Sequence, residues 1–305
     1  MLQPMVVLIT GVNDDANVRA ARTLRAALPV ATVRAHGPGD QPIREASANA
    51  HLVFHVAEND APSAVPEFAD ATVRTPSDLD RCVRRARAFD ERRRAHELPP
   101  GSPPSIAPWS PTWGVAARRI GARVLNALAS SGVSGLVDHI GSTSVPGLPA
   151  KAIIDLQVSV ERLSDVDQAD AALRSAGFVN VQHIVPDAPG VRNDNPRGGC
   201  TNGRQWEKRL YAGVDEAPQT IVHIRRIGAA NWRYALLFRD WLRANDDQRD
   251  AYARVKADLA AAHGGDANFD AYARAKDYWF DHAYQASEDW AHRTAWEPRV
   301  GGAEA

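Results

Sequence analysis

His139-Ile140-Gly141-Ser142-Thr143-Ser144-Val145-Pro146-Gly147, with Lys151 four residues on and Ile153-Ile154-Asp155-Leu156-Gln157-Val158 behind it, is the stretch that decides how this chain is read. A short apolar run at 136–140 leads into a turn rich in glycine and hydroxyl groups. A second strand at 152–160 follows it. Successive side chains of a strand point to opposite sides, so the second strand has two legible faces. Ile154, Leu156, Val158 and Val160 make an apolar face, and Asp155, Gln157 and Ser159 make a polar one. A carboxylate on a strand that otherwise reads as core needs a cation or hydrogen-bond donors beside it.

Working outward, residues 112–130 read as a helix that closes near Gly132, and Ser164 reads as the cap of a helix ending at Gly177. Residues 186–203 are polar and rich in glycine and proline, which predicts a long mobile loop. A strand at 220–224 and helices at 232–244, 246–262 and 268–290 complete the pattern. Trp232, Trp241, Trp279, Phe280 and Trp290 recur on these helices and read as core, with one ring left to stack on a base. Leu98-Pro99-Pro100-Gly101-Ser102-Pro103-Pro104 can sustain neither a helix nor a central strand. Residues 98–107 are therefore read as a linker between a domain at 1–97 and a domain at 108–292, with a tail at 293–305.

Met5-Val6-Val7-Leu8-Ile9-Thr10-Gly11 opens the first domain as a buried parallel strand running into a glycine turn. A helix at 18–28, strands at 30–35 and 51–57, and a helix from the capping-box-like Ser77-Asp78-Leu79-Asp80 suggest a small α/β unit. Gly11 stands where a phosphate-binding loop would begin. That loop requires glycine at 16, lysine at 17 and a hydroxyl at 18, and the chain has Ala16, Asn17 and Val18. Asp14 and Asp15 add negative charge at the same place. A helix-capped turn without phosphate is expected.

The chain has 305 residues, a length that suits two domains. Its net charge of −1 offers no overall field for nucleic acid or an anionic membrane. Cys82 and Cys200 stand far apart, which argues against a disulfide scaffold and a cysteine zinc site. No histidine pair has helical ligand spacing beside an acid. With no signal peptide and no long apolar run, a cytoplasmic location is expected.

Nucleotidyl transfer needs the triphosphate gripped, a divalent metal held near the α-phosphate, and the leaving pyrophosphate stabilised. A Gly-Ser turn offers backbone N–H groups and a hydroxyl to phosphate, and a neighbouring strand offers carboxylates to metal. The string from 139 to 158 has that layout, and as a whole it is similar to the signature of the GrpB family, a branch of the nucleotidyltransferase superfamily. The resemblance continues through Lys208-Arg209-Leu210-Tyr211, Val222-His223-Ile224, Phe238-Arg239-Asp240-Trp241-Leu242-Arg243, Tyr252, Lys256 and Lys276. It covers essentially the whole second domain.

That resemblance implies an α+β fold: a nucleotidyltransferase-like mixed sheet with C-terminal helices, preceded here by the small α/β domain. It implies magnesium and a nucleoside triphosphate, ATP first, with an unidentified small-molecule acceptor, and neither nucleic acid nor membrane as partner. Asp155 would hold the metal, and Ser142 and His223 would join it in the chemistry. Gly141, Ser142, Thr143, Lys151, Lys208, Arg209, Arg239, Lys256 and Lys276 would bind nucleotide and phosphate. The wider superfamily places a second carboxylate two residues after the first, where this chain has Gln157, and often a third where it has His223. The first domain resembles the two ends of a dephospho-CoA kinase, in its opening strand and in Phe68-Ala69-Asp70 to Thr75-Pro76-Ser77-Asp78-Leu79, with the middle missing and no kinase activity implied. Two functions follow: a nucleotide-dependent transferase or adenylating amide ligase, or a non-catalytic module that binds nucleotide or assists folding of a partner. Gln157 favours the second.

Overall fold

The computed structural model describes residues 3–11, 13–37, 40, 42–57 and 69–301. Its first unit contains β1 (Val6–Gly11), α1 (Asp14–Ala27), β2 (Thr32–Ala35), α2 (Ile43–Ala48), β3 (Leu52–Val56), β4 (Ala71–Val73) and α3 (Pro76–Ala95). The strands form a parallel sheet in the order β2-β1-β3-β4. Burial on both faces explains why β1 and β3 read as continuous apolar runs. Helix α3 starts earlier than expected. Thr75 is its cap and Pro76 its first residue, and the Asp78 carboxylate accepts from the Thr75 N–H at 2.9 Å. Phe68, where the kinase-like closing segment begins, lies outside the described residues, as do 302–305 of the tail.

The second unit contains α4 (Thr112–Ala129), β5 (Leu136–Ile140), β6 (Ile153–Val160), α5 (Leu163–Asp167), α6 (Asp170–Ser175), β7 (Phe178–Asn180), α7 (Val181–Ile184), β8 (Lys208–Gly213), β9 (Gln219–Arg226), α8 (Ala230–Ala244), α9 (Asp246–Ala262), α10 (Asp270–Ala275) and α11 (Asp277–Thr294). The sheet runs β5-β6-β9-β8-β7, with β6 and β9 parallel and the other pairs antiparallel. Mixed sheet and late helices are as expected for the fold class. Among the described residues no helix is long and apolar enough to cross a membrane.

The faces of β6 are the ones read from its alternation. Ile154, Leu156, Val158 and Val160 pack into one core with Val124 and Leu128 of α4. The polar face is no solvent face, since α8 lies across it. Gln157 donates to the Trp232 carbonyl at 3.1 Å, and Ser159 accepts from the Trp232 indole at 2.9 Å.

Three local expectations need correction. The helix read at 164–177 is two helices, α5 and α6, broken at Gln168 and Ala169, and Ser164 does not cap it. The helix read at 268–290 breaks at Lys276, which ends α10 and precedes α11. The supposedly mobile loop at 186–203 is fastened down. Asp194 N–H donates to the Trp206 carbonyl at 2.9 Å, Lys208 N–H to the Arg192 carbonyl at 3.0 Å, and Val191 is buried. Its glycines and prolines mark irregular backbone, which side-chain packing then holds.

The two units share a core. Val179 and Val214, at β7 and just beyond β8, are buried with Phe54, Val83 and Phe89 of the first unit. Gly177, at φ +88°, lets the Phe89 ring approach so closely that a Cβ there would collide with it. Arg85 pairs with Asp215 at 2.7 Å, and Arg93 donates to the Ser175 carbonyl at 3.1 Å. The segment joining the units is extended, and Ala107 bridges to Ala150.

Candidate functional site

Strand β5 ends at Ile140, which pairs with Asp155 in the antiparallel register, so the turn begins directly beside the carboxylate. Gly141 has φ 70° and ψ −172°, a conformation that side chains rarely adopt. A Cβ there would collide with Asp155 Oδ2, so glycine is required twice over. The turn is then braced from behind. Thr143 Oγ1 donates to the Ile153 carbonyl at 3.0 Å, and Ser144 Oγ to the Gly141 carbonyl at 2.6 Å. Arg243 donates twice to the Ser144 carbonyl, at 3.0 and 2.6 Å. Arg239 bonds Asp240 and the His139 carbonyl at 2.7 and 3.2 Å. Ser142 faces the cleft, in reach of the Tyr252 hydroxyl.

Three lysines converge on the same cleft. Lys151, Lys256 and Lys276 line it with Ser142, Asp155, Phe269 and Tyr272. Lys151 Nζ lies 3.0 Å from the centre of the Phe269 ring and has no hydrogen-bond partner among the described residues. Burial and the neighbouring Lys276 lower its pKa to about 7, against the pull of Asp155. Lys256 donates to the Pro149 carbonyl at 2.5 Å, and burial with Lys276 likewise lowers it to about 7. Lys276 sits 4.8 Å over Tyr272, and burial lowers its pKa against the pull of Asp155 and Asp277. These ammonium groups are unsettled by one another and by lost solvent, and an anion would relieve both.

Behind Asp155 lies a second charge cluster, centred on Asp194. Its carboxylate accepts from Lys208 Nζ at 2.6 Å, Arg225 Nε at 2.9 Å and Asn231 Nδ2 at 3.1 Å. Burial works to raise its pKa, but Arg225 and Lys208 outweigh burial and hold it far below the usual carboxylate range. Arg225 also donates to Gln157 Oε1 at 2.7 Å. Both ends of the Gln157 amide are therefore occupied, by Arg225 and by the Trp232 carbonyl. His223 places Nδ1 3.3 Å from both Lys208 and Arg225, so Nδ1 accepts and Nε2 carries the hydrogen, 3.8 Å from Asp155. Burial and the two cations lower its pKa to about 4. It is a neutral ring that offers a proton towards Asp155 and has no free lone pair for the cleft.

The expected site residues thus divide. Gly141, Ser142, Lys151, Asp155, His223, Lys256 and Lys276 come together around one cleft, whose larger part encloses about 390 Å³. Thr143 and Arg239 brace the turn from outside it. Lys208 is spent on Asp194. Arg209 points to the surface, bonded to Asp167 and Glu207 at 2.7 and 2.9 Å. Sequence reasoning missed Asp194, Arg197, Phe269 and Tyr272 as site residues. Arg197 reaches Asp277 at 3.2 Å and pairs with Asp281, fastening the 186–203 segment to α11. Tyr252, four residues before Lys256 on α9, was legible as its same-face neighbour.

The donor set can be tested against magnesium. Among the described residues no group of three histidine, cysteine or acidic side chains is placed to hold a metal. Asp155 alone faces the cleft without an arginine or lysine within 4.0 Å among the described residues. One carboxylate beside three lysines does not fit a metal held by protein alone. It would suit magnesium delivered with a triphosphate, to which phosphate oxygens and water would be the remaining ligands.

A mixed sheet with a Gly-Ser turn at the end of one strand and a carboxylate on its neighbour defines a nucleotidyltransferase-like domain. The family model described as GrpB protein matches residues 103–286, and the chain belongs to that family. A protein named dephospho-CoA kinase from Mycolicibacterium paratuberculosis is 38% identical over 203 residues, covering 65% of this chain and 49% of that protein. Its namesake from Mycobacterium bovis is 33% identical over 310 residues, 97% of this chain and 71% of that one, so the similarity includes the N-terminal unit. The chain thus spans about half the length of the first relative and less than three quarters of the second. A UPF0157 protein from Halalkalibacterium halodurans is 32% identical over 156 residues, 51% of this chain and 69% of that protein. A solved structure, conserved protein GrpB from Enterococcus faecalis, is 25% identical with a TM-score of 0.48, covering 61% of this chain and 99% of that one.

Proposed function

We propose that the Gly141–Asp155 cleft binds a nucleoside triphosphate, ATP first, and transfers its nucleotidyl group to a small acceptor, or spends it on adenylation and amide ligation. The observation that carries this reading is the Lys151 ammonium, held in the cleft beside Lys256 and Lys276 without a hydrogen-bond partner among the described residues. Ser142 and the turn amides hold phosphate oxygens, and the three lysines offset the charge of the leaving pyrophosphate. Asp155 would hold magnesium delivered with the triphosphate. That ion, when bound, polarises the phosphoryl group under attack. His223 orients Asp155 through its Nε2 hydrogen. Phe280 and Arg197 wall the wider part of the cleft, where base or acceptor lies.

One observation favours the non-catalytic reading. Gln157, fully buried with both ends of its amide bonded, cannot turn to the cleft as a second metal ligand. Release of pyrophosphate from a nucleoside triphosphate separates the two readings, and nucleotide binding without release would support the accessory module.

Binding itself is tested by calorimetry on the full chain. Lys151→Met is expected to weaken magnesium-ATP by at least about tenfold through loss of a desolvated charge-assisted contact. Asp155→Asn is expected to keep the ligand-free melting temperature and lose the magnesium-dependent part of the thermal shift, a shift worth about 2.7 kcal/mol at a hundredfold excess over Kd in the wild type. The low lysine pKa values add a sign. At pH 8.5 Lys151 and Lys256 are largely neutral, so an anion that draws them back to ammonium takes up protons, and affinity falls as pH rises above 7. Proton release, or an affinity flat from pH 6.5 to 9, would remove the lysines from the site.

The dephospho-CoA kinase name of the relatives is not expected to extend to this chain's activity. Asn17, in the place of the phosphate-loop lysine, is buried and folds its amide back to donate to the Gly11 carbonyl at 3.1 Å. The side chain that should reach out to phosphate closes the turn on itself. CoA formation from dephospho-CoA and ATP, assayed with the full chain, is expected to be undetectable.

A further inference from the structure

A second, larger groove lies between the two units and shares no lining residue with the cleft above. It encloses about 740 Å³ and is lined by Arg94, His96, Arg123 and Arg174, with amides, hydroxyls and alanines between them. Among the described residues no aspartate or glutamate lines it. That volume is in the range of small-molecule sites.

Arg123 is the feature that needs explaining. It is 6% exposed and has no carboxylate within 4.0 Å among the described residues. Its Nη1 donates to the His51 carbonyl, and its guanidinium lies 5.4 and 4.9 Å from the ring centres of Phe89 and Phe178. Its Nε has no hydrogen-bond partner among the described residues. The neighbouring carboxylates, Asp70 and Asp215, compensate it only in part, because each is engaged by another arginine. Arg85 is paired with Asp215 at 2.7 Å, and Arg119 meets Asp70 at 3.4 Å. Three buried guanidinium groups thus face two carboxylates, and the least compensated charge is the one beside the groove. The two cation–π contacts offset only part of the desolvation that a buried ion suffers. His51 supplies no charge. Its Nδ1 accepts from Val6 N–H at 3.0 Å and its Nε2 donates to the Ser175 carbonyl at 2.7 Å, and burial lowers its pKa to about 4.

We infer that this groove is a binding site for a small phosphate monoester, whose dianion supplies the missing counter-charge to Arg123 and meets Arg94 and Arg174 at the rim. Arg94 is exposed and shares Asp90 at 2.7 Å, and Arg174 lies 3.0 Å from Asp170, so each keeps donors for a ligand. Because the walls come from both units, an occupant ties them together.

The probe is inorganic phosphate, added to the full chain at constant ionic strength and followed by backbone amide shifts. The key variant is Asn126→Glu, which puts a carboxylate on the exposed rim, where the Asn126 side chain now donates to Asn49 Oδ1 at 3.2 Å. The expected result is saturable shifts at residues 48–51 and 171–176, retained in Lys151→Met and weakened at least tenfold in Asn126→Glu. Arg174→Ala should weaken them as well, without lowering the melting temperature in the absence of phosphate. Lys151→Met separates this groove from the triphosphate cleft, so the failure of one proposal is visible independently of the other. Shifts confined to residues 141–155, or Asn126→Glu binding phosphate as the wild type does, would overturn the inference.

Discussion

Asp194→Asn is expected to lower the stability of the full chain by about 3 kcal/mol, because it removes the anion from a buried cluster and leaves its cations behind. Lys208 and Arg225 are nine-tenths or more buried, and both direct their charge at this one carboxylate. An asparagine can keep one accepted hydrogen bond, but its NH2 must then face a cation, and neither charge is neutralised. The damage should spread to the cleft, since His223 and Gln157 take their orientation from Lys208 and Arg225. Urea unfolding at pH 7 measures the loss, and a difference below about 0.5 kcal/mol, the usual size for a surface change, would mean that water reaches the cations. The pH dependence provides a second reading. The folded pKa of Asp194 lies below its unfolded value, so its stabilisation is present above the ordinary aspartate pKa and fades as pH falls through the folded one. The gap between mutant and wild type should therefore be full at pH 7 and close only well below about pH 4.

Gly141→Ala is expected to abolish nucleotide binding and to cost about 1–3 kcal/mol of backbone strain before any collision is counted. At φ 70° and ψ −172° an alanine is strained whatever the space around it, and here the space is filled by the Asp155 carboxylate. The turn must move or Asp155 must, and either change separates Ser142 from the carboxylate it sits beside. Gly147→Ala is the control. It also has positive φ, at 77°, but its Cβ would meet only the Arg249 side chain at 3.8 Å or more. It should lose stability and keep the magnesium-ATP shift. If both variants retain the shift, the Gly-Ser turn is not where the phosphates bind.

Much of the sheet was legible because alternation is a local property. The apolar face of β6 and the end of β5 at Ile140 could be read from six or seven residues, and both are where the spacing put them. Helix interruptions at Gln168 and Lys276 were not legible, because neither residue breaks a helix by itself. The cleft was half legible. Lys256 and Lys276 stood out only through a family string, since nothing local distinguishes a lysine aimed into a cleft from one in solvent.

A resemblance to a family string pointed to a nucleotidyltransferase-like second unit. The sequence by itself determined an Asp155 that must find a partner on the polar face of its strand, a glycine turn beside it, and a first unit without the phosphate-loop lysine. These follow from covalent spacing and from residue types that have no substitute. Only the tertiary structure decided which charges meet. It spent Lys208 on Asp194, turned Arg209 out to Asp167, locked Gln157 between Arg225 and a carbonyl, and left Lys151 without a hydrogen-bond partner among the described residues. Ion pairing depends on the few ångströms between side chains brought together from distant segments, and sequence order does not encode that distance.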